Sequence, residues 1–219
     1  MSVLSIRRTS AAATVAEMLR GELLSGEYLP GTPLSVAELV ERNAVSLATA
    51  REALAELERD GLVVHSLHRG VEVAPISSSD VRDIYAARRV FELAGLQVLL
   101  RRRPVDVDWL EAATERMGEA AVARDGRALV EADLAFHLAL VAAAGSRRLT
   151  RAAQAALVEL RLVLSVVDRD GDDMPALVAD HQYLVEVFRS GHLREASSAL
   201  EDHLSRGEVL AFRAATEPE

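Results

Sequence analysis

Apolar residues keep a helical rhythm along most of the chain, and one short stretch around residues 62–74 breaks it. From Ser10 to Ser25 the apolar positions Val15, Met18, Leu19 and Leu23 share one helix face, and Gly26 follows them. Tyr28-Leu29-Pro30-Gly31-Thr32-Pro33-Leu34 predicts a rigid turn. Ser35 and Glu38 then have the spacing of a capping box, opening a short helix through Arg42 with Val36, Leu39 and Val40 inward. After a tight turn at Asn43-Ala44, Ser46 is a good N-cap for a helix from Leu47 to Asp60, and Gly61 marks its end. Ala50, Ala53, Leu54 and Leu57 form its buried stripe. Taken alone this is also the pattern of an ordinary amphipathic surface helix. Its neighbours make it the second half of a helix-turn-helix. Leu62–His65 and Gly70–Ala74 are apolar or β-branched runs around Ser66-Leu67-His68-Arg69, which predicts a two-stranded hairpin, or wing, with His68 and Arg69 at its tip.

Beyond Pro75-Ile76-Ser77-Ser78-Ser79 only helical periodicity remains, rich in Ala and Leu and poor in aromatics. Ser79 or Asp80 is expected to cap the next helix. Punctuation predicts six helices: 80–103, stopped by Pro104; 107–125, after Asp106; 127–144, ended by Gly145; 147–168; 175–190, with Pro175 at its first position; and 192–214. The expected fold is mainly α: an N-terminal winged helix-turn-helix over 1–75, a linker at 76–79 and an all-helical antiparallel bundle over 80–215. Asp170-Gly171-Asp172-Asp173 resembles a calcium loop only superficially, because the later ligands are missing, and is expected to be a solvated turn.

Composition narrows the function classes. No apolar run of 18 residues exists and Met1–Thr9 has no signal-like core, so neither a membrane span nor a secretion signal is expected. With no cysteine there are no disulfides or thiolate metal sites, which fits a cytoplasmic chain. All 25 basic residues are arginine and the net charge is −9. Residues 1–76 carry 7 Arg against 10 Asp and Glu, a net of −3. A nucleic-acid-binding unit with that balance must gather Arg7, Arg8, Arg42, Arg51 and Arg69 on one face, and weak non-specific affinity follows.

Ser46, Thr49 and Arg51 lie near the exposed N-terminal end of the Leu47–Asp60 helix, where small polar groups and an arginine suit phosphates and base edges in a major groove. Residues 15–74 resemble the DNA-binding domain of the GntR family of bacterial regulators. Leu29-Pro30-Gly31, Leu34-Ser35, Glu38-Leu39, Val45-Ser46, Arg51-Glu52-Ala53-Leu54, Leu57-Glu58, Gly61-Leu62-Val63 and Arg69-Gly70 fall in that family's order and spacing. The resemblance implies operator DNA as partner, contacted by Ser35, Arg42, Ser46, Leu47, Thr49, Arg51, His68, Arg69 and Gly70. Leu47 stands where the family usually has a DNA-contacting arginine. An arginine–guanine contact contributes roughly 1–3 kcal/mol of discrimination, so its replacement changes or weakens readout. A leucine there could touch a thymine methyl.

In the second half the informative residues are histidines. Asp133 and His137 are four apart on one predicted helix, and His181 and His203 lie among apolar residues on two later ones. Each alone reads as a hydrogen-bonded helix residue. Together they would make a divalent site suited to Zn²⁺, Ni²⁺ or Mn²⁺. Residues 80–210 resemble the helical FCD effector domain of the FadR-like branch, whose metal-binding members carry Asp-x-x-x-His on one helix and a histidine on each of two later ones. By that resemblance Asp133, His137, His181 and His203 are metal ligands, and Tyr85, Arg88, Glu92, Phe136, Arg194 and Ala196 belong to the same pattern. It also implies Arg88 as the contact for a small carboxylate effector, with Arg89 as alternative; the other reading of Arg88 is a surface ion pair with Glu92. His192 is expected to be an exposed helix cap, His65 and His68 wing residues, and Arg101-Arg102-Arg103 a solvated helix end.

Two functions are consistent with these residues. One is a homodimeric cytoplasmic transcriptional regulator, a repressor, whose operator binding is modulated by an organic acid at a metal site, zinc first and nickel or manganese as alternatives, or by the metal itself. The other is a metal-dependent enzyme. Against the enzyme stand the absence of a further acid or base in the motif helices and the winged helix, which an enzyme does not need.

Overall fold

Ser10 has extended backbone and its hydroxyl accepts from the Ala13 amide at 3.1 Å, so α1 begins at Ala11 and runs to Leu24. The computed structural model describes residues 10–66, 70–102, 104–165 and 173–216. Its two units are Met1–Pro75 and Ile76–Glu219. In the first, α1 packs on α3 (Leu47–Arg59) through Val15, Leu19 and Leu23 against Ala50, Ala53, Leu54 and Leu57, all buried. Met18, expected on this face, is 51% exposed. The buried stripe runs Ala12, Val15, Ala16, Leu19, Leu23, which leaves Met18 on its flank. Arg20 pairs with Asp60, tying α1 to the end of α3.

Between them α2 spans Val36–Asn43. The Ser35 hydroxyl accepts from the Glu38 amide at 3.3 Å, but the return half of the expected capping box does not form. Leu39 is buried, while Val36 and Val40 are half-buried. Ala44 takes the left-handed conformation (φ 50°) that ends α2 and turns the chain into α3.

The wing holds one strand more than the sequence indicates. β2 (Val63–Ser66) and β3 (Gly70–Val73) pair antiparallel as expected, Val63 opposite Val73 and Ser66 opposite Gly70. β1 (Pro33–Leu34) adds to the free edge of β3, giving the order β1-β3-β2. The expected turn is only the first half of its segment: Thr32 donates to the Leu29 carbonyl, and the backbone then reaches β3 through Gly31 N to Val73 O (3.0 Å) and Val73 N to Thr32 O (2.9 Å). A two-residue strand has no period of its own, so only the long-range pairing reveals it.

Among the described residues the second unit has six helices. α4 covers Ser78–Leu99, capped by Ser77 and not by Ser79 or Asp80. Ser77 has an acid three residues on, and Asp80 returns a bond to its amide at 2.8 Å; Ser79 has Arg82 there instead. α4 also stops short of the expected residue 103, because Arg101 and Arg102 fold into tight turns onto Val98 and Leu99. α5 (Asp108–Val122) ends before 125, with Arg124 at φ 55°. α6 covers Gly126–Ala142 and α7 Arg147–Leu164. The expected extension of α7 to 168 and most of the Asp170–Asp173 loop lie outside the described residues, as does Arg103. α8 (Met174–Ser190) and α9 (Leu193–Thr216) complete the unit.

Leu96, Leu99, Leu110, Phe136, Leu140, Leu160, Leu184, Phe188 and Leu200 build its core, each fully buried. At Gly95 a Cβ would stand 2.0 Å from the Leu140 carbonyl oxygen, so only glycine lets α4 lie this close to α6. That approach brings Arg88 and Glu92 of α4 beside Asp133 and His137 of α6. Among the described residues no helix is long and apolar enough to cross a membrane.

Candidate functional site

Three helices of the second unit turn a histidine toward one point. α6 presents Asp133 and His137 one turn apart, α8 presents His181 and α9 His203, all buried. His137 Nε2 lies 3.4 Å from His181 Nε2 and 3.2 Å from His203 Nε2. Asp133 Oδ1 is 3.1 Å from His181 Nε2 and 3.9 Å from His137 Nε2. Phe136 sets its ring edge-on to His137 and His181, with centroids 5.5 and 4.9 Å away, fixing both imidazole planes.

The other ring nitrogen of each histidine decides the chemistry. His137 Nδ1 is 2.7 Å from Glu92 Oε2, His181 Nδ1 2.9 Å from the Leu177 carbonyl, and His203 Nδ1 2.6 Å from Asp180 Oδ2. The carbonyl can only accept. Both carboxylates also accept, because each is held ionised. Burial alone would raise Glu92, but Arg88 and His137 outweigh it and bring its pKa to about 2. Burial would likewise raise Asp180, and hydrogen bonds from His203 and Arg206 lower it instead. Each Nδ1 therefore donates, and in a neutral ring that assigns the tautomer and leaves Nε2 with a lone pair. Burial keeps His137 neutral, its pKa lowered to about 4, and lowers His203 too. Two lone pairs at 3.2–3.4 Å cannot hydrogen-bond to each other, so with all three rings neutral the three nitrogens and the Asp133 carboxylate oxygen form a set of acceptors with no donor among them. That donor set fits a divalent cation, and the carboxylates behind His137 and His203 are the outer partners such ligands use.

A cavity of about 410 Å³ opens beside this cluster, lined by Tyr85, Arg88, Asp133, His137, His203 and Arg206, with Leu164, Leu177, Leu204 and Leu210 as apolar wall. Arg88 Nε donates to Glu92 Oε1 at 2.8 Å. Glu92 thus holds Arg88 with one oxygen and His137 with the other. The pair is real but wholly buried, which corrects its reading as a surface ion pair. Arg88 Nη2 is buried with no hydrogen-bond partner among the described residues. Arg89 is bound to Glu208 on α9 at 2.6 Å and does not line the cavity. His192 is 76% exposed at the start of α9, as expected of a cap.

In the first unit Ser46 caps α3, accepting from the Thr49 amide at 3.1 Å. Arg51 and Leu47 are exposed around that helix start, Leu47 by 48% although it is apolar, and Thr49 is half-buried. Arg42 is tied to Glu22 (2.8 Å) and to the Tyr28 hydroxyl (3.2 Å), so part of its donor capacity is used within the unit. Ser35 is exposed, and Gly70 opens β3 at φ 77°. His68, Arg69, Arg7 and Arg8 lie outside the described residues.

Sequence reasoning missed Asp180 and the second bond of Glu92. Asp180 adjoins His181, but it faces His203 on another helix. Glu92 and His137 are 45 residues apart, and no local period links them.

Comparison with known proteins gives the family. Residues 11–73 match the gntR family of bacterial regulatory proteins and residues 83–206 match the FCD domain. The chain is 28% identical over 199 residues, 85% of its length and 89% of the relative's, to the transcriptional repressor GlaR of Escherichia coli K12. It is 26% identical over 206 residues, 84% of its length and 93% of the relative's, to the transcriptional regulator LutR of Bacillus subtilis. A GntR transcriptional regulator from Rhodococcus sp. RHA1, known as a crystal structure, superposes with a TM-score of 0.82 at 29% identity, covering 93% of this chain and 98% of that one. This chain belongs to the GntR family, with an FCD domain after its winged helix-turn-helix, and is a DNA-binding transcriptional regulator rather than an enzyme.

Proposed function

We propose that this regulator is a homodimeric repressor, acting in the cytoplasm, whose operator occupancy responds to a small organic acid bound beside a divalent cation in the FCD domain. The observation that carries the reading is the set of converging acceptors beside the buried Arg88 Nη2, which has no hydrogen-bond partner among the described residues. Asp133, His137, His181 and His203 would hold the ion, zinc first and nickel or manganese as alternatives. When bound, the ion supplies a Lewis-acid position for a carboxylate oxygen. The protein's own groups do the rest. Arg88, fixed at Nε by Glu92, offers Nη2 to the same carboxylate as a charge-assisted donor. Leu164, Leu177, Leu204 and Leu210 give that pair an apolar wall.

On the DNA side, two copies of α3 meet two half-sites of a pseudo-palindrome. Ser46, Thr49 and Arg51 supply polar contacts at the helix start, Ser35 and Arg42 phosphate contacts, and His68, Arg69 and Gly70 the wing contacts. The exposed Leu47 side chain suits a thymine methyl group. A tenfold change in operator affinity requires the acid to favour one state by about 1.4 kcal/mol.

The test is fluorescence anisotropy of the protein's own upstream intergenic DNA in excess non-specific competitor, at several salt concentrations, with Zn²⁺ and then with a panel of small carboxylic acids. Saturable binding that one acid reverses supports the proposal. Binding that no acid and no chelator alters would remove the effector role from the FCD domain.

A further inference from the structure

α9 carries a glycine in its interior where its cavity-facing stripe needs a side chain. His203, Leu204, Arg206, Gly207 and Leu210 share that face, spaced as i, i+1, i+3, i+4 and i+7, and all five line the cavity. Glycine inside a helix is less favourable than alanine by roughly 1 kcal/mol, so its place here calls for a reason. The space is taken by Tyr85 of α4. A Cβ at Gly207 would stand 2.8 Å from the Tyr85 hydroxyl oxygen, 3.3 Å from Cε1 and 3.5 Å from Cζ. The phenol is buried, and its ring carries the Arg88 guanidinium 4.8 Å from its centroid. Gly207, Tyr85 and Arg88 thus form one stack along the cavity wall, reaching from α9 to the buried Nη2.

We propose that Gly207 is the specificity-determining position of this cavity. It lets the Tyr85 phenol lie back against α9, and by that it fixes both the free space beside the histidines and the placement of Arg88. A side chain at 207 drives the hydroxyl away from α9, toward Arg88 and the space an acid would fill. The effect grows with the size of the acid, and it leaves the histidine and aspartate cluster untouched. Gly207 is a positioning residue, acting through Tyr85. The inference rests on the carboxylate reading given above.

The experiment is calorimetric titration of the Zn²⁺-loaded full-length protein with acetate, malonate and citrate, for wild type, Gly207→Ala, Tyr85→Phe and the double variant. Folding is not the obstacle, since alanine is the better helix residue and phenylalanine keeps the ring. Gly207→Ala is expected to weaken the larger acids about tenfold or more and acetate least, with Zn²⁺ affinity unchanged. Against the Tyr85→Phe background, which lacks the nearest atom, the same change is expected to cost less than about threefold. Equal acid affinity in Gly207→Ala, an equal loss in both backgrounds, or a matching loss of Zn²⁺ affinity would each overturn the proposal. Wild type that takes up Zn²⁺ but none of the three acids would overturn the carboxylate reading, and this inference with it.

Discussion

Glu92→Gln perturbs the site at its most constrained point while hardly changing its shape. In the native protein one carboxylate oxygen accepts from Arg88 Nε at 2.8 Å and the other from His137 Nδ1 at 2.7 Å, and Glu92 is 1% exposed. A glutamine has one acceptor oxygen, so one of these donors must face an amide NH₂. Its carboxyl titrates near 2 instead of the ordinary 4.5, a gap worth about 3 kcal/mol at neutral pH. Removing one partner of a buried ion pair typically costs about 3–5 kcal/mol, so two routes give the same order of magnitude. The folded-state pKa is the lower one. This stabilisation is therefore complete above pH 4.5 and is lost as pH falls toward 2.

The assay is urea unfolding of the metal-free protein in EDTA at neutral pH, wild type against variant, with Zn²⁺ affinity measured in parallel. The expected outcome is a loss of about 3 kcal/mol together with a 10–100-fold weaker Zn²⁺ affinity, because the outer partner of a ligand histidine is gone. A loss below about 1 kcal/mol with unchanged Zn²⁺ affinity would refute the double role of Glu92.

Other residues give further expected outcomes. His181→Ala and His203→Ala should each lower bound metal and the thermal midpoint of the metal-loaded protein, and unchanged metal stoichiometry in both would sink the four-ligand assignment. Arg51→Ala should abolish operator binding in the anisotropy assay while leaving the circular dichroism melt intact; equal affinity would take the start of α3 out of the interface. Burial lowers the folded pKa of His137 to about 4, below its ordinary 6.5, so metal-free protein should be fully stabilised above pH 6.5 and lose that part as pH falls toward 4. The same acid profile in His137→Asn would mean that another group sets it.

What could be read from the sequence is what local periods encode. Ser46 at the head of α3 and Gly61 behind it mark a helix through neighbours no more than a few residues away, and the structure starts and stops α3 where they say. Asp133 and His137 are visible as a pair because a helix repeats every 3.6 residues. What stayed hidden depends on partners far along the chain. β1 is two residues long and exists only because Val71 lies opposite Leu34. Asp180 and Glu92 have no local signature of their bonds to His203 and His137, and Gly207 reads as a weak helix position until Tyr85 is placed against it. Ser77 is a different case. With three serines in a row, the acid at Asp80 was the deciding neighbour, and counting back three residues from it identifies the cap.

On the proposed reading the four converging acceptors hold a divalent cation. The deciding measurement is the metal content of the purified protein, by mass spectrometry after equilibrium dialysis against limiting Zn²⁺ at neutral pH. About one ion per chain is expected, removed by chelator and absent from a variant lacking both Asp133 and His203. Wild type that holds no more metal than that double variant would contradict it.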